Sequence, residues 1–168
     1  VFALTGEEAV SLPARDWIFR NVEGASRELE QQKLNALWRL ANNTANLTVT
    51  TPEGLLQRTI PKGLLTSAAF QLKDGEEYSL DDITGRLVRA GYTRSLQVEG
   101  PGQFAVRGGI IDIYPLTEET PFRIDLWGDE IDTIRSFDVT NQRSIERVPS
   151  LSVYPATEFI LTDEQMAA

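Results

Sequence analysis

Six carboxylates crowd the second half of the chain: Asp112, Asp125, Asp129, Glu130, Asp132 and Asp138. Such a density could hold a divalent cation and activate water for hydrolysis. The order of these residues is not that of an EF-hand loop, however, and Asp at alternate strand positions is the ordinary solvated face of an antiparallel sheet. No metal site and no catalytic residue is expected among them. The glycines of "EGPGQFAVRGG" invite a phosphate-binding reading, but phosphate loops open a helix. Here Gly100 and Gly102 feed a strand, and Gly108 and Gly109 sit between two strands. Tight turns or bulges are expected, and no ATP site. Histidine and cysteine are both absent. That removes Ser-His-Asp and Cys-His catalysis, thiolate metal ligation and any disulfide framework. The chain is read as a non-enzyme.

What remains is chemistry of recognition. In "PFRIDLWGDE", strand alternation puts Phe122, Ile124 and Leu126 on one face and Arg123, Asp125 and Trp127 on the other. If Phe104 and Val106 of "QFAVRG" point inward, Arg107 points outward with Ala105. Two arginines, a carboxylate and a tryptophan make a composition favoured at protein–protein hot spots. The same residues also fit a plain solvated sheet, with an arginine stem lying over the tryptophan and Asp125 paired with either arginine. The residues alone leave both readings open.

The elements that would position this set follow from pattern. Of the 168 residues 41% are hydrophobic and 24% charged, which supports one domain or two small ones. Lys and Arg number 16 against 25 Asp and Glu, a net charge of −9 that argues against a broad nucleic-acid surface. No apolar run reaches the roughly 18 residues of a membrane span, so a soluble chain with no membrane partner is expected. The chain starts at Val1 and its only methionine is Met166, which suggests an excised piece of a longer protein.

The first 25 residues read as strand and loop. "SRELEQQKLNALWRLANNT" reads as a helix with Ser26 as N-cap and Leu29, Lys33, Leu34, Leu37, Trp38 and Leu40 at helical spacing. "NLTVTT" reads as a strand, and Pro52 opens a short helix over "PEGLLQRT". After a break at Ile60–Gly63, "SAAFQLKDG" reads as a strand ending in an Asp-Gly turn. "SLDDITGRLVRAG" reads as a helix capped by Ser79 and stopped by Gly91. From "YTRSLQV" onward come the short strands "QFAVRG", "IIDIYP", "FRIDLW" and "EIDTIRSFDV", with the spacing of an antiparallel meander. "SLSVYPATEFIL" reads as a closing strand. The expected class is α+β with an α/β part: an antiparallel sheet module with a packed helix, joined to part of an α/β unit.

The segments "GYTRSLQVEGPGQFAVRGGIIDIYP", "PFRIDLWGDEIDTIRSFDVTNQRS" and "VYPATEFI" closely resemble the N-terminal region of the bacterial transcription-repair coupling factors, the Mfd family. That region is itself similar to the start of the excision-repair helicase UvrB. The resemblance is dense from Gly91 to Phe159 and looser over "LPARDWIFRNVEGASRELEQQKLNALWRL". It implies a degenerate, non-hydrolysing helicase-like α/β domain over residues 1–62, a UvrB-like module that binds UvrA over 63–146, and a return to the α/β domain over 147–168. It implies a cytoplasmic DNA-repair adaptor that recruits UvrA to stalled RNA polymerase. ATP, Mg, DNA and RNA polymerase would belong to other parts of the full-length family, with no cofactor here. The UvrA-binding residues carried over are Arg107, Arg123, Asp125, Leu126 and Trp127. Relatives often have two phenylalanines at the last two of these positions. The alternative is a UvrB-like fragment that contacts damaged DNA directly, although the aromatic hairpin with which UvrB grips DNA has no counterpart in the sequence and the net charge opposes phosphate.

Overall fold

The computed structural model describes residue 6, residues 9–14, residues 23–158 and residue 160. The expected loop over 15–22 and the end of the closing segment, residue 160 apart, lie outside the described residues. The chain divides into two compact units, Val1–Thr66 and Ser67–Ala168.

In the first unit, strand β1 (Ala9–Leu12) and strand β2 (Leu47–Thr50) run parallel, with Ala9 opposite Leu47 and Leu12 opposite Thr50. Parallel neighbours need a long crossover, and helix α1 (Glu23–Ala41) lies between them in the chain. Val10, Leu12 and Ala36 form the small core, with Leu37 and Ala45 packed against it. Helix α1 starts at Glu23, so Ser26 lies inside the helix instead of capping it. Its buried positions include Lys33, Leu34 and Ala36, while Leu29 and Leu40 of the expected apolar stripe are exposed. Helix α2 (Pro52–Leu56) is capped by Thr51, whose hydroxyl accepts from the Gly54 amide at 3.2 Å, and it ends where Gln57 turns extended. A further short helix, α3 (Lys62–Ser67), starts at the Pro-Gly break, where only an interruption is expected from sequence.

The second unit is built on a six-stranded sheet in the order β4 (Thr93–Arg94), β5 (Gln103–Arg107), β6 (Ile110–Tyr114), β7 (Phe122–Trp127), β8 (Glu130–Phe137) and β9 (Ser144–Arg147). From β5 to β9 all neighbours are antiparallel, as the meander spacing suggests. The two-residue β4 departs from that pattern by running parallel to β5. Strand β9 is fully exposed, so its sequence lacks the apolar alternation that would mark it.

Helix α4 (Leu80–Arg89) has the cap expected of Ser79: its hydroxyl accepts from the Asp82 amide at 3.1 Å. Asp81 and Asp82 in the first turn and Arg86 and Arg89 in the last complement the helix dipole. Ile83 and Leu87, one turn apart, are wholly buried in a core shared with Phe104, Ile111, Ile113, Ile124 and Ile134 of the sheet. Each contributes about 1.5–3 kcal/mol by leaving water. Strand β3 (Phe70–Lys73) pairs antiparallel with β10 (Ser150–Val153), Leu72 opposite Leu151, and both leucines join the same core. Residues 150–153 thus pair with a strand that lies about 80 positions earlier, inside the second unit. Hydrogen bonding across long sequence separation decides this, and no local pattern reveals it.

Candidate protein-docking face

Alternation in β5 to β8 divides the sheet into rows. Two rows face the core: Phe104, Ile113, Phe122 and Ser136 stand opposite one another in turn, and beside them Val106, Ile111, Ile124 and Ile134. The other face carries the polar residues. Its first row runs Ala105, Asp112, Arg123, Arg135, Arg147, and its second Arg107, Ile110, Asp125, Thr133. Three arginines thus stand side by side across strands, an arrangement that repels unless anions are interleaved.

Asp112 supplies the first anion. Its side chain is only 1% exposed, although it stands on the face expected to be solvated. Arg123 grips it with two bonds, Nε to Oδ1 at 2.7 Å and Nη2 to Oδ2 at 2.9 Å. Arg107 reaches it from the adjacent row through Nη2 to Oδ2. Taking a carboxylate out of water is costly unless it is paired and hydrogen-bonded, and here two guanidiniums do both.

Arg123 is held on every side. Its guanidinium lies 4.4 Å from the centre of the Phe137 ring, and Nη2 also donates to Gln142 Oε1 at 3.0 Å. The hydrogen bonds to Asp112 hold its pKa above the usual arginine value, against the opposing pull of burial. Gln142 reaches that position from a turn in which its own φ is +60°, with Nε2 donating to Val139 O at 2.8 Å. Asp138 Oδ1 accepts from the Thr140 and Asn141 amides and so fixes the turn. The chain of support runs from a loop sequence, "DVTNQR", to one guanidinium.

Asp125 belongs to a second cluster. Its Oδ2 accepts from Arg135 Nη2 and, at 2.7 Å, from Thr133 Oγ1. The structure thus corrects the expected pairing of Asp125 with Arg107 or Arg123: the carboxylate that joins those two is Asp112. Leu126 is half-buried and packs against the core, so it supports the face from behind. Trp127 stands at the end of β7, 83% exposed, where Gly128 at φ +63° makes the tight turn into β8. A register shift after Asp125 precedes it.

Exposure separates two kinds of residue within the candidate set. Arg123 is 16% exposed and has its bidentate side occupied, whereas Arg107 is 47% exposed and engaged by one hydrogen bond. A guanidinium has five N–H donors, so most of those on Arg107 have no acceptor among the described residues. Arg107 and Trp127 are the members of the set that offer unspent binding capacity to solvent. Asp112, Gln142, Phe137 and Arg135 escape the sequence reading. Asp112 alone leaves a trace, since a hairpin between "RGGIIDIYP" and "FRIDLW" sets it opposite Arg123.

Among the described residues no cluster of three or more Asp or Glu could hold a metal ion, and no helix is long and apolar enough to cross a membrane. The chemistry that the face offers is charge-assisted hydrogen bonding beside an exposed aromatic ring.

Comparison with known proteins shows the same segment. The family described as the UvrB interaction domain matches residues 70–159, which include every residue of this face. The transcription-repair-coupling factor of Bacillus subtilis is 40% identical over 155 residues, 92% of this chain and 13% of that protein. That of Staphylococcus haemolyticus is 34% identical over 157 residues, 94% of this chain and 13% of that protein. That of Staphylococcus aureus (strain USA300) is 34% identical over 161 residues, 96% of this chain and 14% of that protein. The chain therefore spans about one seventh of the length of these curated relatives.

Proposed function

The chain belongs to the UvrB interaction domain family, and on that premise we propose that it is a non-catalytic adaptor of transcription-coupled DNA repair that recruits UvrA. The docking face is the polar side of the six-stranded sheet, with Arg107, Arg123, Asp125, Leu126 and Trp127 as its elements. Trp127 and Arg107 make the direct contacts, and Arg123, Asp125 and Leu126 hold the surface beneath them. The observation that carries this reading is the exposed Trp127, 83% open to water, beside a half-exposed arginine on an otherwise internally paired face.

We read this adaptor as one part of a longer protein that acts at stalled RNA polymerase on DNA, in the cytoplasm, and the likeness to transcription-repair-coupling factors supports that reading. ATP hydrolysis belongs to other parts of that protein, and the adaptor role requires no cofactor from this chain. The parallel β1–β2 pair with α1 between its strands supports a reading of residues 1–62 as the first part of a degenerate helicase-like α/β domain.

The test is the affinity of purified UvrA for the full chain and for Trp127→Ala. Covering the ring removes on the order of 150 Å² from water, worth about 3 kcal/mol, and the variant should bind on the order of a hundredfold more weakly. Because the ring is already exposed, the thermal midpoint should not move. Unchanged affinity, or a gel shift of duplex DNA in place of UvrA binding, would overturn the proposal.

A further inference from the structure

Resting on that docking reading, we infer that Asp112 is a positioning residue: a buried carboxylate that sets the pose of Arg107 for a partner, with Arg123 as the counter-cation that makes its burial tolerable. Three observations lead there. Among the described residues Asp112 is the single carboxylate that touches both arginines, and it is 1% exposed. Arg107 belongs to the neighbouring row, where its Cα partner is Ile110, so its guanidinium must reach back along the sheet to meet Asp112, whose partner on β5 is Ala105. Without that anchor a long side chain 47% exposed would sample many rotamers. Arg123, finally, has its bidentate side filled by Asp112 and a further bond to Gln142, and it stacks on Phe137. It lacks the free fork that clasping a partner's carboxylate requires.

The division of labour is then definite. Arg107 presents its uncommitted N–H groups to an acidic side chain of the partner. Asp112 fixes one Nη of Arg107, so that less freedom is lost on docking. Arg123, Gln142 and Phe137 fix Asp112 in turn. Arg123 acts on the partner through Asp112 and Arg107, and does not touch it.

A double-mutant cycle tests this, with the full chain titrated into purified UvrA and thermal midpoints measured alongside. The variants are Arg107→Ala, Asp112→Asn, the two together, and Trp127→Ala. Asp112→Asn should weaken binding about three- to tenfold, the value of one pre-ordered long side chain. In the Arg107→Ala background the same change should have no further effect on binding, while its effect on the thermal midpoint persists. A purely structural role would move the midpoint without that coupling in affinity. If Asp112→Asn fails to fold, the charge-balanced pair Asp112→Asn/Arg123→Gln leaves no buried charge unpaired and serves in its place. It too should weaken binding, and lose that effect when Arg107 is alanine. Wild-type affinity in Asp112→Asn, or a loss that persists undiminished without Arg107, overturns the inference. If Arg107→Ala or Trp127→Ala weakens binding while Asp112→Asn does not, the inference falls and the docking face stands. If none of the three weakens binding, the docking face falls and the inference with it.

Discussion

Replacing Arg123 and Arg107 separately by methionine should give sharply unequal losses of stability, although both arginines bind the same carboxylate. Arg123→Met removes both bonds of the fork to Asp112, the bond to Gln142 and the stacking on Phe137. It leaves a carboxylate that is 1% exposed with one remaining partner. Breaking a buried pair from one side costs 3–5 kcal/mol, and because Arg107 still holds one oxygen the lower end, about 3 kcal/mol, applies. The lost stacking adds about 1 kcal/mol. Against a total stability of about 5–15 kcal/mol this is a large fraction. For a chain of this size it should lower the thermal midpoint by about 10 °C. Arg107→Met removes a single bond from a half-exposed side chain and leaves the bidentate pair intact, so it should cost less than about 1 kcal/mol. Thermal and urea denaturation followed by circular dichroism measure both. Equal losses in the two variants, or a loss below 1 kcal/mol in Arg123→Met, would refute the assignment of Asp112 and Arg123 as the buried pair.

Two more outcomes follow from the second unit. The Tyr92 hydroxyl is buried and donates to Tyr154 O at 2.9 Å, and burial raises its pKa well above the ordinary 10.0. Its folded pKa exceeds the unfolded one, so its contribution to stability is complete below about pH 10 and is lost as pH rises beyond that. Urea midpoints measured between neutral and strongly alkaline pH should fall less steeply for Tyr92→Phe than for wild type, and an unchanged slope would count against the buried hydroxyl. Gly91 follows α4 with φ +84°, and a Cβ built there would lie 2.3 Å from Thr157 Cγ2. Left-handed strain and the clash together should make Gly91→Ala cost about 2 kcal/mol or more in urea denaturation, and a loss under 0.5 kcal/mol would contradict that packing.

Much of the second unit is legible in sequence because its signals are local. The Ser79 cap, the Asp-Gly turn with Gly75 at φ +77°, the alternation of Phe104, Ile111, Ile113, Phe122 and Ile124, and the stop at Gly91 each depend on a few neighbouring residues. What is hidden depends on partners far along the chain. Asp112 reads as one more water-facing acid until Arg107 and Arg123 close over it, and Asp125 can be paired on paper with Arg107 or Arg123 until the fold gives it to Arg135 and Thr133. Strand β9 carries no apolar alternation because an exposed strand needs none. Ser26 looks like a cap because Ser followed by acidic residues is a general helix-start signal, but α1 already begins at Glu23. The set Arg107, Arg123, Asp125 and Trp127 does share a face, as strand alternation requires. Their unequal exposure appears only when the cross-strand bonds are counted.

The most direct measurement is a calorimetric titration of purified UvrA with the full chain, wild type and Arg107→Glu, at low and at physiological salt. Charge reversal of a docking arginine should cost about 2 kcal/mol or more, a weakening of about thirtyfold, and the wild-type affinity should fall as salt rises. Saturable binding by wild type and its near loss in Arg107→Glu is the expected result. No saturable binding by wild type, or equal binding by both proteins, would contradict the assignment of this sheet face to UvrA.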